Sequence, residues 1–267
     1  MKKKIIYNTL DISNIPSWME TTSKICSELV SEKVRKQLKY YDPEEMYSDT
    51  MSFLLECCDQ FGQFLNYEKW CTDLDDAFTA LYTHIKAFHA CRIFMGLNSY
   101  KEKGIQKLSR NLLRDLAKIT FKDYASREDI DIAVDKYKIP AFEKSIYLFT
   151  DLKSPLDRSC SHYLQSGSES LQALAIALNI HSRGILASQG QAFLIECDVP
   201  LRDVHITFRS ELWRRFSTCF FQVEAGNEPP TAPLDFCIRV TKPIGPDRIK
   251  HFYEINDKTI YCYTPRH

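Results

Sequence analysis

The chain has 267 residues, of which 44% are hydrophobic, 26% charged and 12% aromatic, inside the range of an ordinary folded protein and outside the low-hydrophobicity corner of disorder. Thirty-five Lys and Arg balance thirty-five Asp and Glu, which argues against a whole-surface grip on nucleic acid or anionic lipid and leaves only a local basic groove open. No apolar run approaches the roughly 18 residues of a spanning helix, and the run after Lys2-Lys3-Lys4 stops at Asn8, so neither a membrane anchor nor a secretory signal is expected and a cytoplasmic location is.

Ten cysteines are scattered along the chain without a C-x-x-C pair. The strongest sign of a zinc knuckle or a thioredoxin-like site is therefore missing, no metal site is expected, and the thiols read as small buried hydrophobes.

From Ser17 to about Lys86 the pattern is mainly helical. Asp42-Pro43-Glu44-Glu45 is a helix start, with proline at the first helical position and acids against the positive end. A second helix is expected from about Asp73 through Lys86, where Phe78, Leu81, Tyr82 and Ile85 recur at three- and four-residue intervals. At Phe88-His89-Ala90-Cys91-Arg92-Ile93 helix and strand compete, and the strand is preferred. Gly104 ends a short helix, and Leu108, Leu112 and Leu116 resume helical spacing. Ser126 to Pro140 reads as a surface connection or short helix.

Ser145 to Thr150 is the clearest strand of the middle region. Ser166 and Glu169 have capping-box spacing before a helix whose stripe is Leu171, Leu174, Ala175 and Leu178. Ala192 to Val199 reads as an interior strand stopped by Pro200. Glu211 to Phe221 reads as an amphipathic helix, and further strands are expected near Leu234 to Val240 and Thr259 to Tyr263. The fold class is α+β, with a mostly helical region over 1–86 and a mixed region over 87–267.

No Walker loop, Gly-x-Gly-x-x-Gly fingerprint, Gly-x-Ser-x-Gly elbow or His-Glu-x-x-His helix is present. What remains is an order of short pieces: Phe88-His89-Ala90-Cys91-Arg92, then Ser99-Tyr100-Lys101-Glu102-Lys103-Gly104-Ile105, then the Tyr147 strand, then Tyr163 and Gly167-Ser168-Glu169, and last a strand-rich tail containing Glu254. This order resembles the ADP-ribosyltransferase-like fold over about residues 89–267. In that family a strand carrying His or Arg precedes a short helix ending in Gly-Ile or Gly-Leu, a later strand and helix supply an aromatic or hydroxyl group, and a near-terminal strand or loop supplies an acid.

The resemblance implies NAD as co-substrate and transfer of its ADP-ribose to a protein, a nucleic acid or a small molecule. It places His89 on the dinucleotide, Arg92 on a phosphate, Tyr147 or Tyr163 against nicotinamide, and Glu254 as the acid, with Glu169 and Glu211 competing. A carboxylate beside the sugar would stabilise the charge that develops as the nicotinamide bond breaks.

The same residues have structural readings: His89 at a core edge, Arg92 paired with an acid, Tyr147 as sheet packing and Glu169 as part of a helix cap. Arg209, Arg214 and Arg215 flank Trp213 and Phe216, which reads either as a phosphate and base platform or as an amphipathic helix. The competing class is a non-enzymatic regulatory or interaction protein that docks a protein partner through the helical N-terminal region around Phe61, Phe64, Tyr67 and Trp70.

Overall fold

The computed structural model describes residues 8–260 apart from 41–42, 64–65, 158–159 and 233; the side chains of 43–51 and 182–183 lie outside that description. In chain order the elements are β1 (Thr9–Leu10), α1 (Ile15–Leu29), α2 (Glu32–Gln37), α3 (Pro43–Gln60), α4 (Tyr67–Leu81), β2 (His84–Ile93), α5 (Asn98–Lys103), α6 (Arg110–Thr120) and α7 (Arg127–Lys136). They continue with β3 (Ile146–Phe149), α8 (His162–Ser166), α9 (Glu169–Ala177), α10 (Ser182–Ser188), β4 (Gln191–Pro200), α11 (Ile206–Glu224), β5 (Cys237–Val240) and β6 (Ile249–Ile255). Helices and an antiparallel sheet together make the fold α+β.

The chain forms two compact units, Met1–Ile85 with Pro200–Leu234, and Lys86–Val199 with Asp235–His267. The expected division near 86 meets the first boundary, but 87–267 does not stay together, because α11 belongs with the N-terminal helices. Its apolar face is aromatic: Phe216 stacks on Trp18 at 4.3 Å between ring centroids and Trp213 stacks on Phe78 at 4.4 Å. All four rings are fully buried, and offset stacking adds to what their burial contributes. Asp75 of α4 accepts from Arg209 Nε and Nη2 at 3.0 and 2.8 Å and from Trp213 Nε1 at 2.8 Å, while Arg214 and Arg215 pair with Glu211. The arginine and aromatic cluster is therefore an amphipathic helix with its cations engaged.

In the second unit the strand order is β5-β3-β2-β4-β6. β3 and β5 pair antiparallel from Ile146↔Val240 to Phe149↔Cys237, and β4 and β6 from Ala192↔Ile255 to Cys197↔Ile249. The ladder between β2 and β3 has one register pair among the described residues, Phe88↔Phe149, so the two strands diverge beyond it. A helical layer from α6, α7, α9 and α10 closes on its own core, with Leu113, Phe121, Ile130, Leu171, Leu174 and Leu186 buried.

Three expectations change. The helix expected through Lys86 ends at Leu81, and His84 to Lys86 already lie in β2. The last strand is Ile249–Ile255; Asp257–Thr259 is a single 3-10 turn, and 261–263 lie outside the described residues. The cap of α9 is Ser168, whose side chain accepts from Leu171 N at 3.2 Å, whereas Ser166 is the last residue of α8 and buried. No helix of the described residues is long and apolar enough to cross a membrane.

Candidate functional site

Where β2 and β3 diverge, a cavity of about 280 Å³ opens within the second unit. β2 contributes His89 and Cys91, α5 contributes Ser99 and Tyr100, and the Glu143 turn with β3 contributes Glu143 and Tyr147. Tyr163 of α8 and the Gly167-Ser168 link before α9 complete the polar part of the wall. The rest is mainly apolar, from residues such as Ile105, Leu112, Leu116 and Phe142. A small number of polar groups set in an apolar wall is the usual composition of a small-molecule site.

Two glycines let the backbone run this close. Gly104, the C-cap of α5, has φ of 71°, and a Cβ there would meet Ile244 O at 1.9 Å, against which Ile105 forms its bridge. Gly167 has the same φ, and a Cβ would stand 3.1 Å from the Phe94 ring. Gly104 therefore requires glycine by conformation and by space, and Gly167 by conformation.

His89 Nδ1 lies 3.2 Å from Tyr147 O, across the gap that a regular ladder would have filled. A carbonyl only accepts, so Nδ1 carries the proton, and the neutral ring leaves Nε2 as an acceptor with no protein partner among the described residues. Burial lowers the His89 pKa from its ordinary 6.5, against a smaller opposing effect of the Tyr147 bond. The imidazole is therefore neutral at neutral pH.

Tyr163 is half-buried, and burial, then the charge of Glu169, pushes its phenol up to about 12. Tyr100 is pushed well above its ordinary value by burial and shares a hydrogen bond with Cys91, whose own thiol burial raises to about 12. Cys91 therefore stays a thiol, without the thiolate that nucleophilic chemistry needs.

Arg92 reaches the wall, but its guanidinium is spent on the protein. Nε donates to Gln189 O at 2.7 Å; Nη1 donates to Leu164 O at 2.9 Å and Asp257 Oδ1 at 3.0 Å; Nη2 donates to Ala187 O at 2.5 Å and Asp257 Oδ2 at 3.0 Å. Those bonds use all five donors, and the side chain is 2% exposed. The phosphate role expected for Arg92 is corrected accordingly: it ties α8, the segment after α10 and the chain after β6 to β2. The cation left in the cavity wall among the described residues is exposed Lys103.

The expected acids also stand elsewhere. Glu254 is exposed on edge strand β6, paired with Phe193, and is not part of the wall. Glu169 opens α9 with its side chain 45% exposed, 3.6 Å from His162 Nε2, and it too lies outside the wall, beside Ser168, which is in it. Glu211 belongs to α11 in the other unit. The half-buried acid that does line the cavity is Glu143, on a turn with no local motif to mark it in the sequence.

The structure thus brings together His89, Tyr147 and Tyr163 from three separate segments and leaves Glu254 and Glu169 out. Among the described residues no group of His, Cys, Asp and Glu is arranged to hold a metal ion. No family model, curated protein or solved structure matches this chain.

Proposed function

We propose that the second unit is an ADP-ribosyltransferase-like module that takes NAD as co-substrate and transfers its ADP-ribose to an acceptor. The observation that supports this most is the convergence of His89, Tyr147 and Tyr163 on one cavity beside a short helix ending in Gly104-Ile105. In this reading His89 Nε2 accepts a hydrogen bond from a ribose hydroxyl, and the two tyrosine rings shield nicotinamide from water.

At about 280 Å³ the cavity lies just below the roughly 300 Å³ where sites for drug-sized ligands begin. It therefore takes the nicotinamide and ribose end of the dinucleotide and leaves the diphosphate at the mouth, on the side of Lys103. The acceptor is a macromolecule or small molecule bearing a nucleophilic O–H or N–H group.

Calorimetry with NAD tests the reading. Saturable binding by the wild type is expected, with a loss of affinity of about tenfold in His89→Ala, the size of one hydrogen bond to a buried polar group. A folded wild type that binds no NAD overturns it, as does a His89→Ala variant of unchanged affinity.

A further inference from the structure

The transfer chemistry needs a negative charge at the sugar, and neither late glutamate supplies one in the cavity. Glu143 does, and its setting is built. Oε1 accepts from Ser170 N at 2.8 Å and Oε2 from the Ser170 hydroxyl, while the backbone N–H of Glu169 adds a third donor. Three donors against about four acceptor positions on a carboxylate leave one position for a ligand. The first turn of α9 therefore clamps the carboxylate in one orientation at the wall, where it needs no reorganisation during a reaction.

Burial raises the Glu143 pKa above its ordinary 4.5, and the nearby Glu169 charge pushes the same way against the lowering effect of the Ser170 bonds. A carboxylate shifted in that direction is a better proton acceptor. The other acid of the wall, Asp115, is exposed.

We propose that Glu143 is the carboxylate that acts on the ribose in this cavity, an inference that rests on the NAD reading above. As the bond between C1′ and the pyridinium nitrogen breaks, its electron pair leaves with nicotinamide, which becomes neutral, and positive charge forms at C1′ opposite Glu143. The acceptor's O–H or N–H group then bonds to C1′, and its proton passes to the Glu143 carboxylate. Water takes the acceptor's place when none is supplied, so nicotinamide release from NAD reports the step.

The test compares wild type, Glu143→Gln and Glu143→Asp for NAD affinity by calorimetry, nicotinamide release, and thermal unfolding. Gln keeps an acceptor for Ser170 N–H, so folding and affinity are expected to hold while release falls about 10²–10³-fold, the scale of one lost electrostatic contact at a developing charge. Should Glu143→Gln not fold, Glu143→Asp decides. It keeps the charge but withdraws it by one methylene, and it is expected to lose release by about 10²-fold at unchanged affinity. Wild-type release by either folded variant overturns the Glu143 assignment and leaves the NAD reading standing. A wild type that binds NAD without releasing nicotinamide overturns both the assignment and the transfer reaction, and one that binds no NAD removes the whole reading.

Discussion

Arg92 shows how one side chain replaces a stretch of regular structure. Its donors satisfy carbonyls in α8, in the last turn of α10 and just after it. Arg92→Ala should therefore cost about 3–5 kcal/mol, as expected when a buried charge network loses its centre. Asp257 is 54% exposed and Asn keeps one acceptor, but the change takes the paired carboxylate from a buried guanidinium, so Asp257→Asn should cost about 1–3 kcal/mol, less than Arg92→Ala, a difference that urea unfolding of the two variants checks. The Arg92 hydrogen bond holds the Asp257 pKa below 3.8; its contribution is present above that pH and is lost as the pH falls through the lowered value. His89 behaves in the same sense through burial. With its pKa held below 6.5, the imidazole stays neutral as the pH passes 6.5, so NAD affinity should remain flat there and fall only at lower pH, when Nε2 gains a proton and can no longer accept. Calorimetry across that range checks it; affinity already declining above pH 6.5 would contradict the role given to Nε2.

Some of the elements that periodicity announces are in the structure, while the spacing of Phe78, Leu81, Tyr82 and Ile85 carries the expected helix past its end at Leu81. The strand around Tyr147 and the strand before Pro200 are β3 and β4, and the short helix ended by Gly104 is α5, each marked by a local signal strong enough to stand alone. β6 escaped because Lys250, His251 and Glu254 are exposed on an edge strand, so the alternation that marks a half-buried strand is weak. The start of α9 was displaced by two residues because Ser166 and Ser168 both offer cap chemistry, and only the φ of 71° at Gly167 separates α8 from α9. Ser168→Ala should accordingly cost about 0.5–2 kcal/mol through loss of the bond from Leu171 N, whereas Ser166→Ala removes no cap. Thermal unfolding of the two variants distinguishes them, and equal losses would contradict the assignment of the cap to Ser168.

Division of the whole chain was legible at 85/86 and illegible at 200 and 234, because α11 returns to the first unit through aromatic contacts that no local pattern announces. The helical unit seals Trp70, which is 1% exposed, while Tyr67 stays 44% exposed and Phe64 lies outside the described residues. Of the cavity wall, the residues that the sequence reading names lie on regular elements, His89 on β2, Tyr147 on β3 and Tyr163 on α8. Glu143 of the same wall is not marked in the sequence because a turn before a strand carries no spacing rule, and of the two readings of Arg92 the pairing with an acid holds, with partners 72 to 165 residues away that no local pattern names. A crystal of the second unit's cavity in the intact chain, soaked with NAD, tests the convergence of these residues most directly. Density for the nicotinamide and ribose end between His89, Tyr147 and Tyr163, with a ribose hydroxyl on His89 Nε2, is the expected result; NAD bound elsewhere on the chain, or seated with its adenine end in this cavity, would contradict it.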